Sequence, residues 1–134
     1  MSGDVIILGG NGRFGRAAID AFHHAGWRVR SFVRTPWLDH GHGAGRLIIG
    51  DAFDRDAVIK AARGCEVIVN ALNPPYPRWR QDLPRLTQTV IAAARAATAA
   101  GATVMLPGNV YNYGAGMPEH LHETTPHAPT TRKG

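Results

Sequence analysis

Short apolar runs alternate with longer helix-like segments along most of the chain. Consecutive apolar positions are typical of strands buried on both faces. Five such runs predict β-strands: 5–8, 27–33, 46–49, 66–72 and 102–106. Three segments between them predict helices, each followed by a glycine: 16–25, 54–63 and 86–100. Residues 73–84 contain four prolines and are predicted to form a loop.

The alternation of strands and helices indicates the fold class. Strands that are separated by helices form parallel βαβ units with right-handed crossovers. We therefore predict an α/β fold with a doubly wound parallel sheet of about five strands in the order 3-2-1-4-5, with its ligand cleft where the order reverses, at the carboxyl ends of strands 1 and 4. In this prediction residues 1–107 form the core and residues 108–134, which lack periodicity, form an irregular tail.

A glycine-rich turn joins the first strand to the first helix. Its glycines have the spacing G-x-x-G-x-x-G, one residue longer at the first gap than the dinucleotide fingerprint G-x-G-x-x-G. Gly9 would allow the tight turn, Gly12 would let the backbone approach a diphosphate, and Gly15 would let the helix pack closely on the strand. Free N–H groups at the helix N-terminus would then hold the anion. An ordinary glycine-rich turn is the alternative.

We assign the dinucleotide to this loop and to residues that follow the other strands. The predicted cofactor-binding residues are Gly9, Asn11, Gly12, Arg13, Phe14, Gly15, Arg34, Asp51, Ala71 and Asn73. No metal site is predicted, because the spacing of the histidines in the tail matches no zinc pattern.

The residue after strand 2 bears on the choice of dinucleotide. An NAD site usually has a carboxylate there, about 20 residues past the glycines, to hold the ribose 2′-hydroxyl. This chain has Arg34 instead, and the nearest carboxylate is Asp39. A guanidinium suits a 2′-phosphate, and Arg13 is a second candidate for it. We therefore predict NADP in preference to NAD, with a solvated strand end as the alternative for Arg34.

Two further positions near the predicted cleft carry candidate ligand contacts. Asp51, after strand 3, is a candidate acceptor for the adenine amino group or, alternatively, a turn or helix-capping residue. The proline-rich stretch 74–80 contains arginine and tryptophan side chains that suit an anionic or aromatic substrate. A rigid solvent-exposed loop is the alternative there.

Composition limits the classes of function. A length of 134 residues and 44% hydrophobic content fit one domain. The single cysteine, Cys65, lies in an apolar run, so we expect a buried thiol, a reducing compartment and hence the cytoplasm. No stretch approaches the roughly 20 apolar residues of a membrane span. The net charge of +5 is spread along the chain, which favours an anionic cofactor over nucleic acid.

With these motifs the chain resembles the short-chain dehydrogenase/reductase superfamily, in its extended and atypical branches. The resemblance rests on the glycine loop, on Arg34, on Gly50-Asp51, on the run 67–71 and on tail residues such as Tyr111 and Thr125-Pro126. It implies a Rossmann fold and an NAD(P)-dependent epimerase, dehydratase or reductase, with a dinucleotide cofactor and a small-molecule substrate.

The resemblance also implies catalytic residues, and here the sequence departs from the family pattern. The family uses a Ser or Thr after strand 5 and a Tyr-x-x-x-Lys motif. The serine position falls at Pro107, and the tyrosine and lysine positions fall at Thr130 and Gly134. A threonine hydroxyl cannot replace a phenol as acid/base near neutral pH. The remaining candidates are Asn109, Tyr111 and Lys133, with Tyr113 as a second phenol. For the tyrosines, packing with one hydrogen bond is the alternative.

Relatives in this family continue beyond the position of the last residue here. We therefore expect a sheet that is incomplete at the C-terminus, a truncated chain and uncovered apolar surface that favours a homodimer. Two alternatives to a catalytic domain remain: a non-catalytic NADP-binding redox sensor, for which the missing Tyr-x-x-x-Lys motif argues, and a truncated fragment without a function of its own.

Overall fold

A computed structural model describes residues 2–36 and 45–133. Within them a five-stranded, all-parallel sheet has the order β3-β2-β1-β4-β5, which confirms the predicted doubly wound α/β fold. The strands are β1 Asp4–Leu8, β2 Arg28–Val33, β3 Arg46–Ile49, β4 Val67–Asn70 and β5 Thr103–Met105. The helices are α1 Arg13–His24, α2 Arg55–Ala62 and α3 Trp79–Ala97, and short 3-10 turns cover Tyr76–Arg78 and Tyr111–Tyr113.

The central strand β1 divides the core into two layers. Its side chains alternate between the two faces of the sheet, as the pleat requires. Val5 and Ile7 pack with Ile19 of α1 on one face. Ile6 and Leu8 pack on the opposite face with residues of α2 and α3. These four side chains are fully buried, so the glycine loop that follows them starts directly from the core.

Helix α1 begins three residues earlier than predicted, at Arg13 instead of residue 16. Gly12 is its N-cap, in an extended conformation, and Gly15 therefore lies in the first helical turn. A glycine within a helix costs about 1 kcal/mol relative to alanine. Helix propensity therefore placed the predicted start of α1 after Gly15, which is too late. The close approach of this turn to the glycine loop outweighs that cost.

Helix α3 begins at Trp79, seven residues before the predicted start, and Pro84 lies inside it. The expectation that residues 73–84 form a loop throughout was therefore wrong. Pro84 lacks an N–H and cannot bond the carbonyl one turn earlier. The side chains of the first turns supply other contacts: Trp79 Nε1 donates to Pro74 O at 2.8 Å, and Arg78 forms an ion pair with Asp82.

Both edges of the described sheet carry exposed apolar side chains. Leu47 and Ile49 lie on β3, and Met105 and Leu106 lie on or beside β5. β5 pairs only with β4 within residues 2–36 and 45–133. After β5 the chain forms no helix or strand up to residue 133 apart from the turn Tyr111–Tyr113. No helix in the described ranges has the length and apolar character that a membrane crossing requires.

Candidate dinucleotide-binding site

A cleft of about 600 Å³ lies at the carboxyl ends of the strands. The loops after β1, β2, β3 and β4 all contribute to its wall, so it falls at the predicted point where the strand order reverses. Seven predicted cofactor residues line it: Gly9, Asn11, Gly12, Arg34, Asp51, Ala71 and Asn73.

Glycine is sterically required at three positions of the loop after β1. Gly9 has a φ of +87°, and a Cβ there would lie 2.8 Å from Ala71 O. A Cβ on Gly15 would lie 2.3 Å from Gly9 O, so the helix does pack against the turn as expected. Gly10, to which sequence reasoning gave no role, would collide with Ser31 Oγ at 2.1 Å. These contacts explain the extra glycine in the G-G-x-G-x-x-G sequence.

Gly12 differs from these three glycines because a Cβ on it would have room. Its nearest neighbour would be Gly9 O at 3.7 Å, and Gly12 lines the cleft. It precedes the N-terminus of α1, which has no side-chain cap and no acidic residue in its first turn. Because the first N–H groups of a helix have no partner within it, Arg13 N and Phe14 N are free to bind an anion. The loop therefore fits a diphosphate.

Asn11 holds this loop against the end of β2. Its Nδ2 donates to Thr35 O at 3.0 Å. Its Oδ1 is buried and has no hydrogen-bond partner in the described part of the chain. A buried acceptor without a partner costs about 1–3 kcal/mol.

Arg34 is exposed and lines the cleft immediately after β2. It forms no hydrogen bond or ion pair with the residues that the structure describes. Thr35, the next residue, also lines the cleft and is the acceptor for Asn11. The guanidinium is therefore carried by an anchored segment of backbone, and its donors are unpaired within the described ranges. Asp39, the nearest carboxylate in sequence, lies outside the described residues.

Asp51 has a structural role that leaves one oxygen available. Its Oδ1 accepts a hydrogen bond from Phe53 N at 2.9 Å and stabilises the turn after β3. The N-cap of α2 is Asp54, whose side chain accepts from Ala57 N at 3.1 Å. The turn-forming alternative for Asp51 is thus the observed one, and it is compatible with adenine binding at Oδ2.

Three predicted cofactor residues are not part of the cleft wall. Arg13 and Phe14 open α1, and Phe14 packs against the apolar layer beneath that helix. Gly15 is buried under the turn. Arg13 is exposed and does not line the cleft, so what these residues offer an anion is their position in the first turn of α1.

Two charged residues of the cleft form a pair that the sequence did not reveal. Asp82 is only 2% exposed, and Arg78 binds it in a bidentate manner, with Nε 2.8 Å from Oδ2 and Nη2 3.3 Å from Oδ1. Both line the cleft. Asp82 was missed because it lies in the segment predicted as loop. Since α3 begins at Trp79, the two residues face each other at i, i+4 spacing.

The catalytic candidates lie together but outside the cleft wall. The ammonium of Lys133 is 5.4 Å from the centroid of the Tyr111 ring. Asn109 Oδ1 accepts from Tyr111 N at 2.9 Å and so supports the bend that leads into the 3-10 turn. Thr130, at the position of the family tyrosine, accepts from Ala115 N at 3.1 Å through its hydroxyl. Tyr113 packs edge-on against His127.

Other reactive groups of the described ranges are not arranged as a site. No three His, Cys, Asp or Glu side chains in residues 2–36 and 45–133 are placed to share a metal ion. Cys65 is fully buried in the core, and its burial raises the pKa of the thiol above its usual value. A buried thiol that resists ionisation is unsuited to act as a nucleophile.

The fold and the cleft define a dinucleotide-binding Rossmann protein. The chain belongs to the NAD(P)H-binding family, whose model matches residues 9–128. It is therefore an NAD(P)-binding domain, as the glycine loop predicted. No curated protein sequence is significantly similar to it.

Solved structures share this fold. A short-chain dehydrogenase/reductase superfamily protein from Agrobacterium tumefaciens with bound NAD is 26% identical, with a TM-score of 0.67 over 97% of this chain and 40% of that one. UDP-N-acetylglucosamine 4-epimerase from Bacillus cereus is 15% identical, with a TM-score of 0.73 over 96% and 45%. A Rossmann-fold NAD(P)-binding family protein from Shigella flexneri is 22% identical, with a TM-score of 0.60 over 78% and 50%. The chain thus spans half or less of the length of these proteins.

Proposed function

We propose that this chain binds NADP(H) in preference to NAD(H), as the cofactor domain of an epimerase, dehydratase or reductase. The carrying observation is that Arg34 lies in the same cleft as Gly9 and Gly12. A guanidinium beside a diphosphate-binding loop matches the 2′-phosphate that distinguishes the two coenzymes.

The roles of the individual residues follow from the geometry. The N–H groups at the start of α1 bind the diphosphate, and Gly12 leaves room for it. Arg34 binds the 2′-phosphate, and Asp51 accepts from the adenine amino group through Oδ2. The loop after β4, with Ala71 and Asn73, borders the other half of the coenzyme. The bound coenzyme supplies or accepts hydride at its nicotinamide ring.

Arg78 is the residue that we assign to an anionic group at the β4 side of the cleft. The buried carboxylate of Asp82 fixes one edge of its guanidinium, and its side chain is 57% exposed. An arginine held in this way is pre-organised, so it loses little rotamer entropy when it binds a carboxylate or phosphate.

Calorimetric titration of the chain with NADPH and with NADH tests the proposal. A charge-assisted hydrogen bond contributes about 1.5–3 kcal/mol, so we expect NADPH to bind at least about tenfold more tightly. Equal affinities for NADPH and NADH would contradict the assignment of Arg34 to the 2′-phosphate. Absence of heat with either coenzyme, from protein that melts cooperatively, would remove the cofactor role.

A non-catalytic NADP-binding sensor is the second candidate, and one observation favours it. Thr130 stands where the family has its tyrosine and is engaged in the tail, while Asn109, Tyr111 and Lys133 lie outside the cleft wall. Consumption of NADPH with a panel of aldehydes and ketones separates the candidates. Tight binding without turnover supports the sensor. If turnover is seen, a Tyr111→Phe variant with unchanged kcat would dismiss Tyr111 as the proton donor.

We further propose that the chain forms a homodimer and resides in the cytoplasm. The exposed Met105 and Leu106 beside the edge strand β5 support self-association, since such apolar edges pair readily. The free, buried thiol of Cys65 supports a reducing compartment. Light scattering after size-exclusion chromatography tests the dimer, and a Leu106→Lys variant should shift the mass toward the monomer.

A further inference from the structure

Three aromatic rings surround a positive charge outside the cleft wall. Tyr76 and Trp79 pack together with ring centroids 4.6 Å apart. The ammonium of Lys133 lies 3.9 Å from the Tyr76 centroid, 5.4 Å from that of Tyr111 and 5.7 Å from that of Trp79. All three distances fall within the range of about 6 Å in which a ring face attracts a cation. We call Tyr76, Trp79 and Tyr111 the aromatic box.

Among the described residues, no carboxylate helps the box to hold the ammonium. Lys133 forms no ion pair with any acidic side chain of residues 2–36 and 45–133. The rings are accessible, since Tyr76 is 58% and Tyr111 44% exposed. Trp79 is fixed by the hydrogen bond from its indole to Pro74 O. Affinity for a cation at this place therefore arises from the rings themselves.

The box adjoins the cleft. Pro75 and Arg78, which line the cleft, directly precede Tyr76 and Trp79 in the sequence, and the hydrogen bond from Trp79 to Pro74 O also joins the box to the cleft wall. We propose that the aromatic box is a binding site for an alkylammonium group, and that Lys133 occupies it as an internal ligand in the free protein.

The chemistry of the box selects this class of ligand. The ring faces, over which the cation lies, offer no oxygen atoms, so a hydrated metal ion finds no ligands there. An alkylammonium group sheds water more readily, and its alkyl carbons contact the ring faces while its charge meets their negative potential. An external ligand has to displace Lys133. The apparent affinity of that ligand is therefore reduced by the fraction of molecules in which Lys133 has left the box.

Tetramethylammonium chloride is the probe for this site, with sodium chloride added to keep the ionic strength equal. The chain has three tryptophans, and a Trp79→Phe variant identifies the indole N–H signal of Trp79 in a proton–nitrogen NMR spectrum. The titration is run on the wild type and on Lys133→Met, which removes the internal cation and keeps the length of the side chain. tert-Butanol, a neutral molecule of similar shape, is the matched ligand control.

We expect tetramethylammonium to shift the Trp79 signal saturably and to bind Lys133→Met about tenfold more tightly than the wild type. In the Lys133→Met background, Tyr76→Leu should weaken binding by about two- to fivefold. Tyr113→Leu, which removes a ring that packs on His127 outside the box, should leave it unchanged.

Three results would overturn the proposal: no saturable shift in Lys133→Met, equal affinities in Lys133→Met and the wild type, or equal binding of tert-butanol. Native signal dispersion in the same spectra shows that each variant is folded. Calorimetry with NADPH on the same samples keeps the two proposals apart. Retained NADPH binding without tetramethylammonium binding removes only the aromatic box as a site.

Discussion

Asn11 and Thr35 join two parts of the cleft wall. The bond of 3.0 Å from Asn11 Nδ2 to Thr35 O connects the glycine loop after β1 to the residue that follows Arg34. It therefore links the loop that we propose for the diphosphate to the segment that we propose for the 2′-phosphate. Binding to a pre-organised pair of sites avoids the entropy loss of ordering them.

Removing this bond should weaken coenzyme binding more than folding. In Asn11→Ala the segment carrying Arg34 loses its anchor, and a net loss of about 1 kcal/mol corresponds to a roughly fivefold weaker affinity for NADPH. The ratio of NADPH to NADH affinity should also fall. The buried, unpartnered Oδ1 disappears in the same variant, so we expect a melting temperature close to that of the wild type. An unchanged affinity ratio would show that the bond does not position Arg34.

Alanine substitutions at Gly12 and Gly15 should have different effects, the first on coenzyme binding and the second on stability. A Cβ at position 12 meets only Gly9 O, at 3.7 Å, so Gly12→Ala should fold normally. Its methyl group would occupy space needed by the diphosphate, and we expect at least tenfold weaker NADPH binding, or about 1.4 kcal/mol. Thermal melts and calorimetry on the same protein measure both effects.

Gly15→Ala, in contrast, is predicted to lower the stability of the fold. Its Cβ would lie 2.3 Å from Gly9 O, a backbone atom that cannot move without opening the turn. Overpacking of this kind costs about 1–3 kcal/mol, which should appear as a lower urea midpoint. Gly116→Ala, at a position with open space around it, is the matched control. A wild-type midpoint for Gly15→Ala would contradict the close packing of helix and turn.

Asp4 makes stability depend on pH in the acid range. A hydrogen bond from the Arg28 guanidinium holds the pKa of the Asp4 carboxyl below its usual value of 3.8. Burial opposes this shift, and the charge of Arg30 adds to it. The ionised form therefore stabilises the fold above about pH 4, and this contribution is lost as the pH falls through the lowered pKa. Asp4→Asn should reduce stability at pH 7 and flatten its decline at acid pH, as measured by urea midpoints from pH 2.5 to 7. Parallel declines in the two proteins would contradict this role.

The sequence predicted the strands because each apolar run is short and the helices between them end at glycines such as Gly26, Gly64 and Gly101. It predicted the strand order because strands that alternate with helices form parallel βαβ units in a doubly wound sheet. It did not place the starts of α1 and α3, because Gly15 and Pro84 disfavour helix locally and tertiary contacts decide there. The same error concealed Asp82, whose burial depends on that longer helix.

The candidate site, too, could be predicted only in part from the sequence. Residues that follow strands, such as Arg34 and Asp51, were assigned to the cleft correctly because parallel strands end at one edge of the sheet. The assembly of Lys133 with Tyr76 and Tyr111 joins residues far apart in the sequence. A contact between such distant residues leaves no periodic pattern in the sequence, so only the structure reveals it.

The selectivity that we propose for Arg34 is tested most directly by a cycle of two proteins and two coenzymes. Arg34→Ala should weaken NADPH by about ten- to a hundredfold, from the loss of a charge-assisted bond, and change NADH by less than about twofold. Arg95→Ala is the control, because Arg95 is exposed in the last turn of α3, at the opposite end of that helix from the cleft. Equal weakening of both coenzymes in Arg34→Ala, or of neither, would contradict the assignment of this arginine to the 2′-phosphate.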